Sequence, residues 1–74
     1  MKEEQTLKLF GLRVKKIRQN LKLSQEDLAA IADLDRTYIS GIERGKRNIS
    51  LINIVKLSSS LNITPSELML FTKE

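Results

Sequence analysis

The stretch from Ser24 to Gly45, SQEDLAAIADLDRTYISGIERG, constrains the fold of this chain more than any other, because it encodes two short helices with their own start and stop signals. Ser24 caps the first, whose opening turn carries Glu26 and Asp27, where acidic groups suit the helix dipole. Asp35 caps the second, which runs through Glu43 and Arg44 to a left-handed stop at Gly45. Between them Asp33-Leu34 must turn the chain through a left-handed residue, a conformation that Asp tolerates better than most. In the second helix Ile39 and Ile42 share one face, while Arg36, Ser40 and Arg44 recur at four-residue spacing on the other, with Thr37 alongside. One face packs, and the opposite face is left to touch something else.

The remainder of the chain supplies helices to pack against. Leu7, Phe10, Val14, Ile17 and Leu21 are spaced three, four, three and four, which predicts an amphipathic helix one with Lys8, Arg13, Lys15, Lys16 and Arg18 on its other faces. Asn20 to Leu23 links it to helix two, about Gln25 to Ala32, and helix three follows from about Arg36 to Arg44. Ser50 caps a fourth helix whose stripe is Leu51, Ile54, Val55, Ser58 and Leu61; the run Ser58-Ser59-Ser60 lies within that stripe as small packing residues. Asn62-Ile63 turns the chain into Thr64-Pro65-Ser66-Glu67, a capping box with Pro at the first helical position, which opens a short fifth helix through Leu68, Met69, Leu70 and Phe71. No strand pattern, repeat or linker is present. The expected fold is all-α, five helices in a single domain over 1–74.

Composition removes whole classes of function. With 74 residues, no Cys and no His, the chain lacks thiol and imidazole catalysis, disulfides and the usual zinc ligand sets, so neither an enzyme nor a cofactor or metal site is expected. No apolar run approaches the roughly 18 residues of a membrane span, and MKEEQT is not the start of a signal peptide, so a cytoplasmic protein without membrane contact is expected. The net charge is +4, and Lys8 to Arg47 holds ten bases against five acids, an imbalance that suits an anionic partner.

Helix three has the makings of a DNA reader. Arg36 sits at its start, where a helix in the major groove penetrates deepest and a guanidinium grips guanine bidentately; Thr37 offers a hydroxyl or a methyl, and Ser40 donates or accepts. Gly41 inside the helix costs about 1 kcal/mol relative to Ala, and its missing side chain either lets the backbone approach DNA or allows close packing against another helix. Gln25 at the start of helix two, and the cluster Arg44, Lys46, Arg47 and Asn48 after helix three, are candidates for phosphate contacts on the two sides of the groove. Ile52, Met69, Leu70 and Phe71 are left over once each helix has given one stripe to the core, and such a patch points to a dimer interface.

Segment 24–45 resembles the helix-turn-helix of the phage-repressor-like family, a five-helix domain in which helices two and three form the reader, and the similarity extends over about residues 7–71. The run DRTYISGIERGKRNISLINI, residues 35–54, is similar more narrowly to the controller proteins of bacterial restriction-modification systems. That resemblance implies a homodimer on a double-stranded operator of inverted repeats, activating its own operon at low occupancy and repressing it at high. It assigns base reading to Arg36, Thr37, Tyr38, Ser40 and Arg47, and phosphate contact to Gln25 and Asn48. Tyr38, the only Tyr, either meets a phosphate or a base methyl or closes the edge of the core. The resemblance also pairs Arg18 with Glu43 as a structural tie, and sets Glu26 where activating relatives present an acid to RNA polymerase; the plainer role of Glu26 is to stabilise a helix start. Asp33 departs from the Gly or Asn frequent at the turn in such proteins. A chain this short leaves no sensor domain for a small-molecule effector. A phage-type repressor or antitoxin, and a protein-interaction module that uses this fold without DNA, are the alternative functions; the second predicts a reading face without Arg.

Overall fold

The structure, a computed structural model, describes residues 1–71. Among them lie five helices and no strand: α1 (Glu3–Asn20), α2 (Gln25–Ala32), α3 (Arg36–Glu43), α4 (Leu51–Ser60) and α5 (Pro65–Leu68). Four of the five starts are fixed by side chains. Ser24 accepts the Asp27 N–H at 2.9 Å while Asp27 accepts the Ser24 N–H at 2.9 Å, and Thr64 and Glu67 form a second reciprocal box with Pro65 at the first position. Asp35 and Ser50 accept the N–H groups of Thr37 and Asn53. Each cap satisfies a donor that the helix cannot, an effect worth about 0.5 to 2 kcal/mol.

The ends of α1 to α4 share one geometry. Lys22 (φ 60°), Asp33 (φ 57°), Gly45 (φ 72°) and Asn62 (φ 60°) adopt the left-handed conformation. The N–H of the following residue then returns to a carbonyl five residues back: Leu23 to Arg18, Leu34 to Ala29, Lys46 to Gly41 and Ile63 to Ser58, at 2.8 to 3.1 Å. These bonds satisfy terminal carbonyls and reverse the chain tightly enough to stack successive helices. Gly45 alone meets this conformation without a Cβ penalty.

α3 lies against α1 and α2, and α4 joins α2 to α5. Val14, Leu28, Ile39, Ile42, Leu57, Leu61 and Leu68 are almost wholly buried, with Phe10, Ala29 and Ala32 beside them. Each large aliphatic side chain contributes about 1.5 to 3 kcal/mol of transfer free energy. The core departs from the expected stripes at three places. Leu21 caps the end of α1 and is 46% exposed, because the helix stops before its side chain can turn inward. In α4, Leu51 and Val55 face outward at 73% and 47% exposure, and Leu57 is buried instead beside Ser58. α5 ends at Leu68, so Met69 and Leu70 are exposed in the turn that follows while Phe71 packs edge-on against Phe10, centroids 5.7 Å apart.

Gly11 sets how closely α1 approaches α3. A Cβ there would overlap the Ile42 carbonyl oxygen and stand 2.8 Å from that of Glu43, both backbone atoms at the end of α3 that cannot move aside cheaply. Arg13 fastens the other side of α1, donating to the Glu67 carbonyl from Nε (3.2 Å) and Nη2 (2.7 Å).

Candidate nucleic-acid interface

α3 is held from behind by its last residue. Glu43 is buried and accepts from Arg18 through both oxygens, Nε to Oε2 at 2.6 Å and Nη2 to Oε1 at 2.9 Å. Nη1 of the same guanidinium donates to the Leu23 carbonyl at 2.8 Å, at the entry to α2. The bond it donates to Glu43 raises the pKa of the Arg18 guanidinium above its ordinary value, despite the burial that opposes the charge. The expected tie between α1 and the end of α3 is therefore present, in the bidentate geometry that makes arginine–carboxylate pairs strong.

The same carboxylate reaches the front of the molecule. Gln25 Nε2 donates to Glu43 Oε1 at 3.1 Å, and Gln25 Oε1 accepts from Arg36 Nη1 at 3.4 Å. The side-chain amide of Gln25 is half-buried and spans from the ion pair to the exposed first residue of α3. Arg36 and Thr37 are exposed beside it. The Thr37 N–H and hydroxyl both donate to Asp35 Oδ1, at 2.9 and 2.8 Å, and hold that carboxylate below its usual range. The hydroxyl proton of Thr37 is thus taken by the cap. Ser40 follows, half-buried, and its carbonyl accepts from Arg44 Nε at 3.3 Å.

Arg44, Lys46, Arg47 and Asn48 are all exposed, but they do not form one cluster. Arg47 folds back over α3: its guanidinium carbon lies 5.3 Å from the centroid of the Tyr38 ring, a cation–π contact. Tyr38 is half-buried against the core, and its hydroxyl accepts from Asn53 Nδ2 of α4 at 3.0 Å. Tyr38 is thus packed at the edge of the core, partly exposed, with its ring facing Arg47. Asn48 instead borders a shallow cleft with Met1, Glu3, Thr6 and Leu7 at the start of α1. Glu26 is exposed in the first turn of α2.

The apolar residues expected at a dimer interface divide between elements. Ile52, 67% exposed, shares a groove between α2 and α4 with Val55 and with Ile31, which is 56% exposed. Met69 and Leu70 lie after α5, and Phe71 is partly occupied by Phe10. The sequence reading passed over Asn53, Ile31 and Gly11. Gly11 was nonetheless signalled: Leu7, Gly11, Val14 and Arg18 are spaced four, three and four, a second stripe on helix one.

Residues 14–68 match the helix-turn-helix family. Control protein C.MunI of Mycoplasma sp is 58% identical over 60 residues, which cover 80% of this chain and 81% of that protein. Among solved structures, the restriction-modification controller protein C.AhdI from Aeromonas hydrophila superposes with a TM-score of 0.83 at 52% identity, over 84% of this chain and 94% of that one. The controller C.Esp1396I, solved as a tetramer in complex with its natural 35 base-pair operator, gives a TM-score of 0.79 at 37% identity over 88% and 90%. The chain belongs to the helix-turn-helix family and, within it, to the restriction-modification controller proteins.

Removing one partner of the Arg18–Glu43 pair leaves the other charge buried. Arg18→Ala and Glu43→Ala should each cost about 3 to 5 kcal/mol, and the double change less than their sum. Chemical denaturation of the three variants measures this, and additive losses would show that the two residues do not stabilise one another.

Proposed function

We infer that the protein is a sequence-specific DNA-binding transcriptional regulator that controls restriction-modification genes, its own among them. The observation that carries this reading is the basic surface around α3: Arg36 and Thr37 are exposed at its start, and Arg44, Lys46 and Arg47 are exposed just after its end, while its opposite side is locked by Ile39, Ile42 and Glu43. Eight residues of helix run about 12 Å, close to the width of the major groove. Arg36, Thr37, Tyr38, Ser40 and Arg47 are assigned to the bases, while Arg44, Lys46, Asn48 and the start of α2 at Gln25 hold phosphates. The relatives are control proteins rather than enzymes, and no catalytic role belongs to this reading. Among the described residues no helix is long and apolar enough to cross a membrane, and the proposed site of action is the cytoplasm, where the DNA is. No small-molecule effector is invoked; regulation follows from the protein's own concentration.

Arg36→Ala should cost about 1 to 3 kcal/mol on the operator and relax preference at one base position, whereas Lys46→Ala should weaken all duplexes alike and lower the salt slope by about one. Titrations on operator and scrambled duplexes at several salt concentrations separate the two. Equal losses on both duplexes for Arg36→Ala would remove it from the readers.

A homodimer is part of the proposal. The described residues hold one reading helix, so half-sites one turn of DNA apart, roughly 34 Å, take two copies. The exposed Ile52 with Met69 and Leu70, and the remaining surface of Phe71, are the apolar area available for a two-fold contact. Ile52→Glu should shift sedimentation from dimer to monomer at tens of micromolar protein; an unchanged dimer would place the interface elsewhere.

Activation requires a surface that DNA leaves uncovered, and the exposed carboxylate of Glu26 is proposed to meet RNA polymerase there. In vitro transcription at equal operator occupancy should show Glu26→Lys losing activation while binding stays equal or tightens. Full activation by that variant would leave Glu26 with only its helix-end role.

A further inference from the structure

Gly41 is buried in the middle of α3, a position where glycine is a poor helix former. What a side chain would meet first there is one residue, Arg47. A Cβ on Gly41 would stand 2.8 Å from Arg47 Cγ, 3.6 Å from Nε and 3.7 Å from Cδ, and the three nearest neighbours are all atoms of the Arg47 side chain. The arginine stem lies across the bare backbone of Gly41, and its guanidinium continues over the Tyr38 ring at 5.3 Å. Tyr38 is itself kept in place by the 3.0 Å bond from Asn53. Gly41 is the floor and Tyr38 the wall of a cradle, with α4 bracing the wall.

We propose that Gly41 is a positioning residue for base reading: its missing side chain makes room for the Arg47 stem, so that this guanidinium is held beside α3 before DNA arrives. This rests on the reading of the α3 face as a DNA reader, and deepens it by naming what aims its last arginine. A free arginine must surrender rotamer freedom on binding, while one already laid along a groove and stacked on a ring surrenders less. Without the cradle, Arg47 remains a cation near the DNA but no longer approaches one base step from a fixed direction. The gain from Arg47 therefore becomes less sequence-specific.

Gly41→Ala is the informative change, because alanine is the better helix former and the added methyl falls first on the flexible Arg47 stem. The thermal midpoint should stay level or rise. In the free protein, the Arg47 side-chain protons should be shifted upfield by the Tyr38 ring current in NMR spectra and return toward unstructured values in Gly41→Ala. On the operator, Gly41→Ala should lose about tenfold in affinity, the order of one lost bidentate base contact, with a smaller loss on scrambled DNA. In an Arg47→Ala background the same change should cost nothing further. An equal loss in both backgrounds would overturn the proposal, because DNA itself would then be what approaches Gly41; so would unchanged Arg47 resonances or no loss in either background. If the parent protein shows no preference for operator over scrambled DNA, the proposed function fails and takes the base-reading role of Gly41 with it, while the NMR comparison still decides whether the cradle exists.

Discussion

A single buried carboxylate organises the reading half of this molecule. Glu43 closes α3, receives two bonds from Arg18 of α1 and one from Gln25 of α2, and so ties together the three helices that carry the interface. Burying a charge pair costs several kcal/mol in lost hydration, and a lone contact does not offset that. Here the third nitrogen of the Arg18 guanidinium donates to the Leu23 carbonyl, and among the described residues no buried side-chain polar atom lacks a partner. The return is geometry more than net stability: replacing the pair with well-packed aliphatic residues would retain a core but lose the directional link from α1 to the front of α3.

That link extends to the surface by hydrogen bonds alone. From Glu43 it passes through the Gln25 amide to Arg36, so the first arginine of α3 is braced by the buried pair. At the far end of the same helix Arg47 is braced by Gly41 and Tyr38. The two arginines rest on different supports, one polar and one made of ring and backbone. Between them Thr37 has its hydroxyl proton taken by the Asp35 cap, which leaves its methyl as the freer group, suited to apolar contact with thymine.

The helices were legible because their signals are local. Ser24, Asp35, Ser50 and Thr64 each cap an N–H two or three residues on, and Asp33 adopts the left-handed turn that its place between two periodic segments demands. Lys22 turns in the same way without any signal in its residue type; the bonds closing the α1–α2 link impose it. The errors fall where burial depends on a neighbour's position. Val55 and Leu57 are two residues apart on one amphipathic helix, and only the placement of α2 and α5 decides which is covered. At the interface, residue type located the arginines but not what holds them. That Gln25 is engaged inward, and that Asn53 supports Tyr38, are contacts across 18 and 15 residues that no spacing rule reports.

Under the proposed reading, the protein's own assembly is the variable that regulates. If reading requires two protomers, each with its own braced α3, operator occupancy at low concentration rises with roughly the square of protein concentration, because dimerisation precedes binding. Placement of Arg36 and Arg47 before binding raises the affinity of each reading helix without changing that exponent, since arginines already laid against the protein surrender less freedom when the dimer meets DNA.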